Sequence, residues 1–178
     1  MQPIVLASAS PYKKMLLDRL GIPFTCCAPN IDESPTSTEG GAVLAQRLAE
    51  QKAQHIAQQF PQAIVIGADQ TAVLDGQILG KPGNHHSAVA QLSAQSGRTV
   101  LFYSGISLAR YTQGKLEYQS RVNSTEVSFR PLSQQQIDHY LEIEQPYDCS
   151  GALNPKQWES ACFPPLKVTI PVPLLAYH

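Results

Sequence analysis

Residues Ile4 to Lys14 read as a short apolar strand, a serine-rich turn and the start of a helix. No other stretch restricts the fold as much. Ile4-Val5-Leu6-Ala7 has the unbroken apolar character of a buried strand, Ser10 is a good helix N-cap, and Pro11 suits the first helical position. A strand that runs straight into a helix is a unit of α/β architecture. It also leaves the backbone N–H groups of the helix start aimed at one spot, and Ser8, Ser10, Lys13 and Lys14 surround that spot with hydroxyls and ammonium groups. Such a corner suits phosphate. Lys13 and Lys14 sit in the first helical turn, where the dipole disfavours cations. A bound anion would account for them, and so would a tolerated mismatch.

The rest of the chain continues the alternation. Met15, Leu16 and Leu20 form an apolar helical face that Gly21 should end, and Ile22 to Cys27 is a short strand. Pro29 to Gly41 is a polar loop containing Glu33. A helix over 42–59 carries Leu44, Leu48 and Ile56 along one row. Ala63-Ile64-Val65-Ile66 suits a strand buried on both faces, and Asp69 falls just past it, after Gly67. Thr71 to Leu74 and Gln77 to Leu79 pair across Asp75-Gly76, a hairpin signal. A helix runs from about Ser87 to Gln95. Thr99 to Arg110 and Leu116 to Arg130 alternate as paired strands around Gln113-Gly114, and Ser133 to Gln136 is a capping box. With no repeat and no linker, residues 1–178 are expected to form one mixed α/β domain.

Net charge is −1, which gives no broad field for nucleic acid or an anionic membrane, so an anionic ligand must be held by a local cluster of cations. No run approaches a membrane span or the apolar core of a signal peptide, and the cysteines lack metal or redox spacing. A cytoplasmic protein with reduced thiols is expected.

Several side chains are candidates for chemistry. Asp69, at a strand end beside a glycine, suits a general base or a metal ligand, and equally a turn aspartate. Lys81 lies between Gly80 and Pro82 on a constrained turn, where a phosphate-gripping lysine and a solvated one are equally common. Lys52 interrupts the apolar row of its helix and either snorkels past the core, the commoner outcome, or reaches a polar pocket. His85 and His86 diverge as neighbours on a helix and do not make a metal site.

Taken together, Leu6-Ala7-Ser8-Ala9-Ser10-Pro11, Asp32-Glu33, Gln51-Lys52-Ala53, Gly67-Ala68-Asp69-Gln70, Gly80-Lys81-Pro82 and the stretch from Thr99-Val100 to Tyr103-Ser104-Gly105 occur in the order and spacing of the Maf family. The chain resembles that family over residues 3–152. The resemblance implies a mixed twisted sheet flanked by helices with a deep central cleft, and hydrolysis of a nucleoside triphosphate to the monophosphate and diphosphate. It implies a divalent cation (Mg2+, Mn2+ or Co2+) and suggests a homodimer, while the net charge argues for no nucleic-acid or membrane partner. Asp69 would activate water, with Glu33 and Asp69 as metal contacts. Ser8, Ser10, Lys13, Lys14, Lys52 and Lys81 would hold the triphosphate. A subgroup acting on 7-methyl-GTP has an aromatic after Ser-x-Ser-Pro and Gln after the catalytic Asp. Tyr12 and Gln70 match it, and an aromatic face suits a cationic methylated guanine. The alternatives are the dTTP/UTP subgroup and a catalytically impaired nucleotide-binding protein. Lysine stands at Lys13, and at Lys14, where the family commonly has arginine, which trades a planar fork for a point charge.

The resemblance stops after Ala152. Pro164, Pro165, Pro171 and Pro173 crowd the end of the chain, against both helix and sheet. Loss of one base near codon 153 would explain this. Trp158 has a single codon ending in g and Glu159 begins ga, so the alternative frame encodes Gly there. A consistent codon choice makes residues 153–156 Phe-Lys-Ser-Glu and later supplies Gly-Leu-Pro, both family patterns. Residues 153–178 are therefore expected to be aberrant. Lys156 then stands where the 7-methyl-GTP subgroup has a specificity Glu, turning attraction for a cationic base into repulsion. Low stability and weak or no activity are expected of the chain as it stands.

Overall fold

The computed structural model describes residues 2–154 and the backbone of 167–169. The elements run β1 (Ile4–Ala7), α1 (Pro11–Asp18), β2 (Thr25–Cys26), α2 (Gly41–Ala57), β3 (Ile64–Leu74), β4 (Gln77–Leu79), α3 (His85–Gln95), β5 (Thr99–Thr112), β6 (Lys115–Ser128), α4 (Gln134–Glu144) and β7 (Lys167–Thr169). The strands form one mixed sheet in the order β2-β1-β3-β5-β6-β7, with β4 paired to β3. β1 is parallel to β2 and β3, whereas β4 and β7 pair antiparallel. This is the mixed α/β class expected from the alternation of elements.

Two compact units divide the chain, Met1–Thr71 with Tyr103–Asn123, and Ala72–Phe102 with Ser124–His178. In the first unit, α2 packs on one face of the sheet through a row of small residues. Ala53, Ile56 and Ala57 join Val5, Ala7, Val65 and Ala109 in a closed apolar cluster. Glycines make the close approach possible. A Cβ on Gly67 would lie 2.7 Å from Ala53 N and 2.9 Å from Ala53 Cβ, and a Cβ on Gly105 2.6 Å from the Ala45 carbonyl carbon. In the second unit, α3 and α4 contribute Leu92, Ile137, Tyr140 and Leu141 to a core with Val100, Phe102 and Val127.

Local chemistry sets most boundaries. Ser10 caps α1 by accepting from Lys13 N, and Pro11 opens the helix. Ser133 and Gln136 form the reciprocal capping box of α4. The turns Asp75-Gly76 and Gln113-Gly114 have positive φ at both residues, as tight hairpins require. Three expectations need correcting. α1 ends at Asp18 and buries no residue fully; Leu16 and Leu20 are exposed, and of its apolar side chains Met15 and Leu17 are half-buried. Only Thr25–Cys26 of the segment 22–27 pairs as strand. α3 begins at His85, because the Asn84 side chain accepts from Ser87 N and caps the helix earlier.

Candidate functional site

β3 is one uninterrupted strand of 11 residues, so Asp69 stands inside it and not beyond its end. The alternation that places Val65 and Gly67 toward α2 places Asp69 there too. The helix presents Lys52 opposite. Its Nζ donates to Asp69 Oδ1 at 2.6 Å and lies 2.9 Å from Glu33 Oε1. The lysine side chain is 5% exposed and that of Asp69 11%. Lys52 therefore does not snorkel; the apolar row along α2 delivers an ammonium group to two carboxylates. Burial, the largest single influence, pushes its pKa down, but the attraction and hydrogen bond of Asp69 and then those of Glu33 outweigh it, and the pKa is raised.

Lys13 approaches from α1. Its Nζ donates to the Ala68 carbonyl at 2.8 Å and lies 3.9 Å from Asp69 Oδ1. The serine turn holds this helix start in place: Ser10 N donates to Ser8 Oγ at 3.0 Å, and Ser8, itself buried, donates its N–H to the Leu6 carbonyl. Lys14 points elsewhere, ion-paired to Asp18 at 3.0 Å and lying over the Phe24 ring. Asp18 thus offsets the lysine charge that sequence reasoning had set against an anion. Tyr12 is half-buried on the same helix. Gln70 follows Asp69 on the strand and so projects from the opposite face, where its Nε2 donates to Ser104 Oγ at 3.1 Å. The structure does not bring Gln70 and Asp69 onto one face.

Lys81 belongs to the second unit and is exposed. Its turn is anchored by Gly80, whose carbonyl accepts from Gln91 Nε2 at 3.1 Å and from Gly151 N at 3.3 Å, and by Gly83 N donating to the Tyr147 carbonyl. Lys156 lies outside the described residues.

Sequence reasoning missed Arg47. Its guanidinium forks onto Glu39 (2.7 and 2.8 Å) and also donates to the Ser34 carbonyl and to Gln51, all at 3.0 Å or less. Its place five residues before Lys52 on one helix was the available signal.

A model of the Maf-like protein family matches residues 3–164. The chain belongs to the Maf family. It is 52% identical over 149 residues to a Nitrosococcus oceani protein, covering 84% of this chain and 74% of that one. A Methylobacillus flagellatus protein is 48% identical, with coverage of 85% and 78%, and a Vibrio vulnificus protein 44%, with coverage of 92% and 83%. All three relatives bear the name 7-methyl-GTP pyrophosphatase. The structure of the Staphylococcus aureus Ham1 protein is a looser likeness, with 17% identity and a TM-score of 0.41 over 71% of this chain and 72% of that one.

Within this Maf chain, Glu33 and Asp69 both reach Lys52 Nζ, at 2.9 and 2.6 Å. No group of three or more His, Cys, Asp or Glu suited to a metal occurs among the described residues. Two carboxylates completed by phosphate oxygens and water are a donor set that suits a hard divalent cation such as Mg2+. No helix among the described residues is long and apolar enough to cross a membrane.

Proposed function

We propose that this Maf protein hydrolyses the bond between the α- and β-phosphates of a nucleoside triphosphate, with 7-methyl-GTP the preferred substrate, giving 7-methyl-GMP and diphosphate. The observation that carries the reading is the Asp69 carboxylate, largely buried and faced by the ammonium groups of Lys52 and Lys13. A carboxylate so placed can orient a water molecule and take its proton as the oxygen attacks the α-phosphorus. The α–β P–O bond breaks, and its electron pair leaves with the diphosphate.

The lysines act on charge. Lys13, fixed by the Ala68 carbonyl on one side, directs its ammonium group toward the anion formed in the transition state. Lys52 holds Asp69 and Glu33 in position. Glu33 and Asp69 would hold a divalent cation, which when bound neutralises charge on the phosphate under attack. The names of the relatives and the aromatic residue Tyr12 support 7-methylguanine as the base, since a cationic ring is attracted to an aromatic face.

Diphosphate release measured across 7-methyl-GTP, GTP, dTTP and UTP tests the substrate. A higher kcat/KM for 7-methyl-GTP than for the other three is expected. A preference for dTTP or UTP would move the chain to the other subgroup, and binding without release would make it a nucleotide-binding protein.

A further inference from the structure

The loop that carries Glu33 connects β2 to α2 without a strand or helix of its own, yet it delivers a carboxylate to within 2.9 Å of a buried ammonium group. Something must fix it. Within 32–39 the backbone closes one turn, Glu39 N donating to the Thr36 carbonyl at 3.2 Å, and side chains add two bonds: Ser34 N donates to Asp32 Oδ1 at 2.9 Å, and Thr36 N donates to Glu39 Oε2 at 3.2 Å. Glu39 is in turn gripped by both arms of the Arg47 fork, and the same guanidinium takes the Ser34 carbonyl, next to Glu33 in the chain.

Exposed ion pairs of this kind commonly contribute little. This one differs in two respects. The Glu39 side chain is only 4% exposed, so its carboxylate depends on Arg47, and the contact is bidentate, which fixes direction as well as distance. Arg47 and Lys52 also share α2, about 7.5 Å apart along its axis at 1.5 Å per residue. One rigid helix therefore sets both the anchor of the loop and the cation that Glu33 meets.

We propose that Arg47 is a positioning residue that stakes the 32–39 loop to α2 and so fixes where the Glu33 carboxylate stands. Its consequence for metal affinity rests on the role given to Glu33 above. A lysine at this position keeps the charge but loses the planar fork, so Glu39 and Ser34 cannot both be held.

The test uses the full chain carrying Arg47→Lys, and the paired variant Arg47→Met/Glu39→Gln, which leaves no unpartnered carboxylate if the single variant fails to fold. Two quantities are read: amide hydrogen exchange over 32–39, and binding of Mn2+ alone by calorimetry. Faster exchange confined to that loop is expected, with Mn2+ affinity reduced roughly 10-fold or more, as for other groups that orient metal ligands. In a Glu33→Gln background, Arg47→Lys should cost no further Mn2+ affinity. Unchanged exchange over 32–39, or losses that add in the combined variant, would overturn the inference. Faster loop exchange in Arg47→Lys, together with a Glu33→Gln chain that binds Mn2+ and releases diphosphate normally, would leave the stake standing and remove the metal role of Glu33.

Discussion

Lys52 Nζ donates to Asp69 Oδ1 at 2.6 Å, joining α2 to the middle of β3 through a pair largely withdrawn from water. Breaking such a pair from one side costs about 3–5 kcal/mol, because a buried charge loses its partner. Lys13, 3.9 Å from the same oxygen, places Lys52→Met toward the lower end, about 3 kcal/mol. The double variant Lys52→Met/Asp69→Asn should regain part of that loss in urea unfolding. Losses of the Lys52→Met and Asp69→Asn single variants that simply add in the double variant would show that the pair is not coupled.

The same contact gives stability a dependence on alkaline pH. The folded pKa of Lys52 lies above its ordinary value of 10.5, so its contribution is complete below 10.5 and is lost as pH rises through the folded value. The acid side belongs to Glu39, whose hydrogen bonds from Arg47 hold its carboxyl below the ordinary 4.5. That contribution is present above 4.5 and is lost as pH falls through the lower folded value. Unfolding measured against pH should fall less steeply on the alkaline side in Lys52→Met and on the acid side in Glu39→Gln. Profiles parallel to that of the unaltered chain would refute the assignment.

Gly67 lets α2 approach β3 closely enough for Lys52 to reach Asp69. Its added Cβ would meet helix backbone, which cannot swing aside as a side chain can. Gly67→Ala should cost about 1–3 kcal/mol as an overpacked contact. Its effect on turnover should be larger, since displacing a catalytic group by about 1 Å can cost roughly 100-fold. Thermal unfolding and kcat on one preparation compare the two. A stable variant with unaltered kcat would show that the approach of α2 is not critical.

How far these features were legible depended on how local their causes are. Ser10 with Pro11, Ser133 with Gln136, and Asp75-Gly76 act over a few residues, so the starts of α1 and α4 and the turn after β3 follow from the sequence. Asp69 was misplaced at a strand end because Gly67-Ala68 resembles a break; only the packing of Ala49 and Ala53 shows that the glycine serves a helix contact inside a continuous strand. Lys52 alone favoured snorkelling, since its two carboxylate partners lie 19 residues before it and 17 after it in the chain. The pairing of Lys14 with Asp18 follows the ordinary spacing of four on a helix and is legible in the sequence.

Residues 153–178 carry a separate prediction, that the coding DNA holds a single-base loss near codon 153. Reading the DNA checks it directly: a sequence in which no single-base change near that codon encodes Phe-Lys-Ser-Glu would end the idea. At the protein level, Lys156→Glu replaces an ammonium group with a carboxylate. If residue 156 faces the base, the kcat/KM ratio of 7-methyl-GTP over GTP should rise about 10-fold, equivalent to about 1.4 kcal/mol. An unchanged ratio would count against that role.

The most direct measurement is single-turnover release of diphosphate from 7-methyl-GTP, with protein in excess so that slow chemistry is visible, comparing the unaltered chain with Asp69→Asn. The asparagine keeps the size of the side chain and removes its ability to take a proton. The account predicts one diphosphate for each 7-methyl-GMP formed, and a rate lowered roughly 10²- to 10⁴-fold by the substitution. Diphosphate release by Asp69→Asn at the rate of the unaltered chain would contradict it.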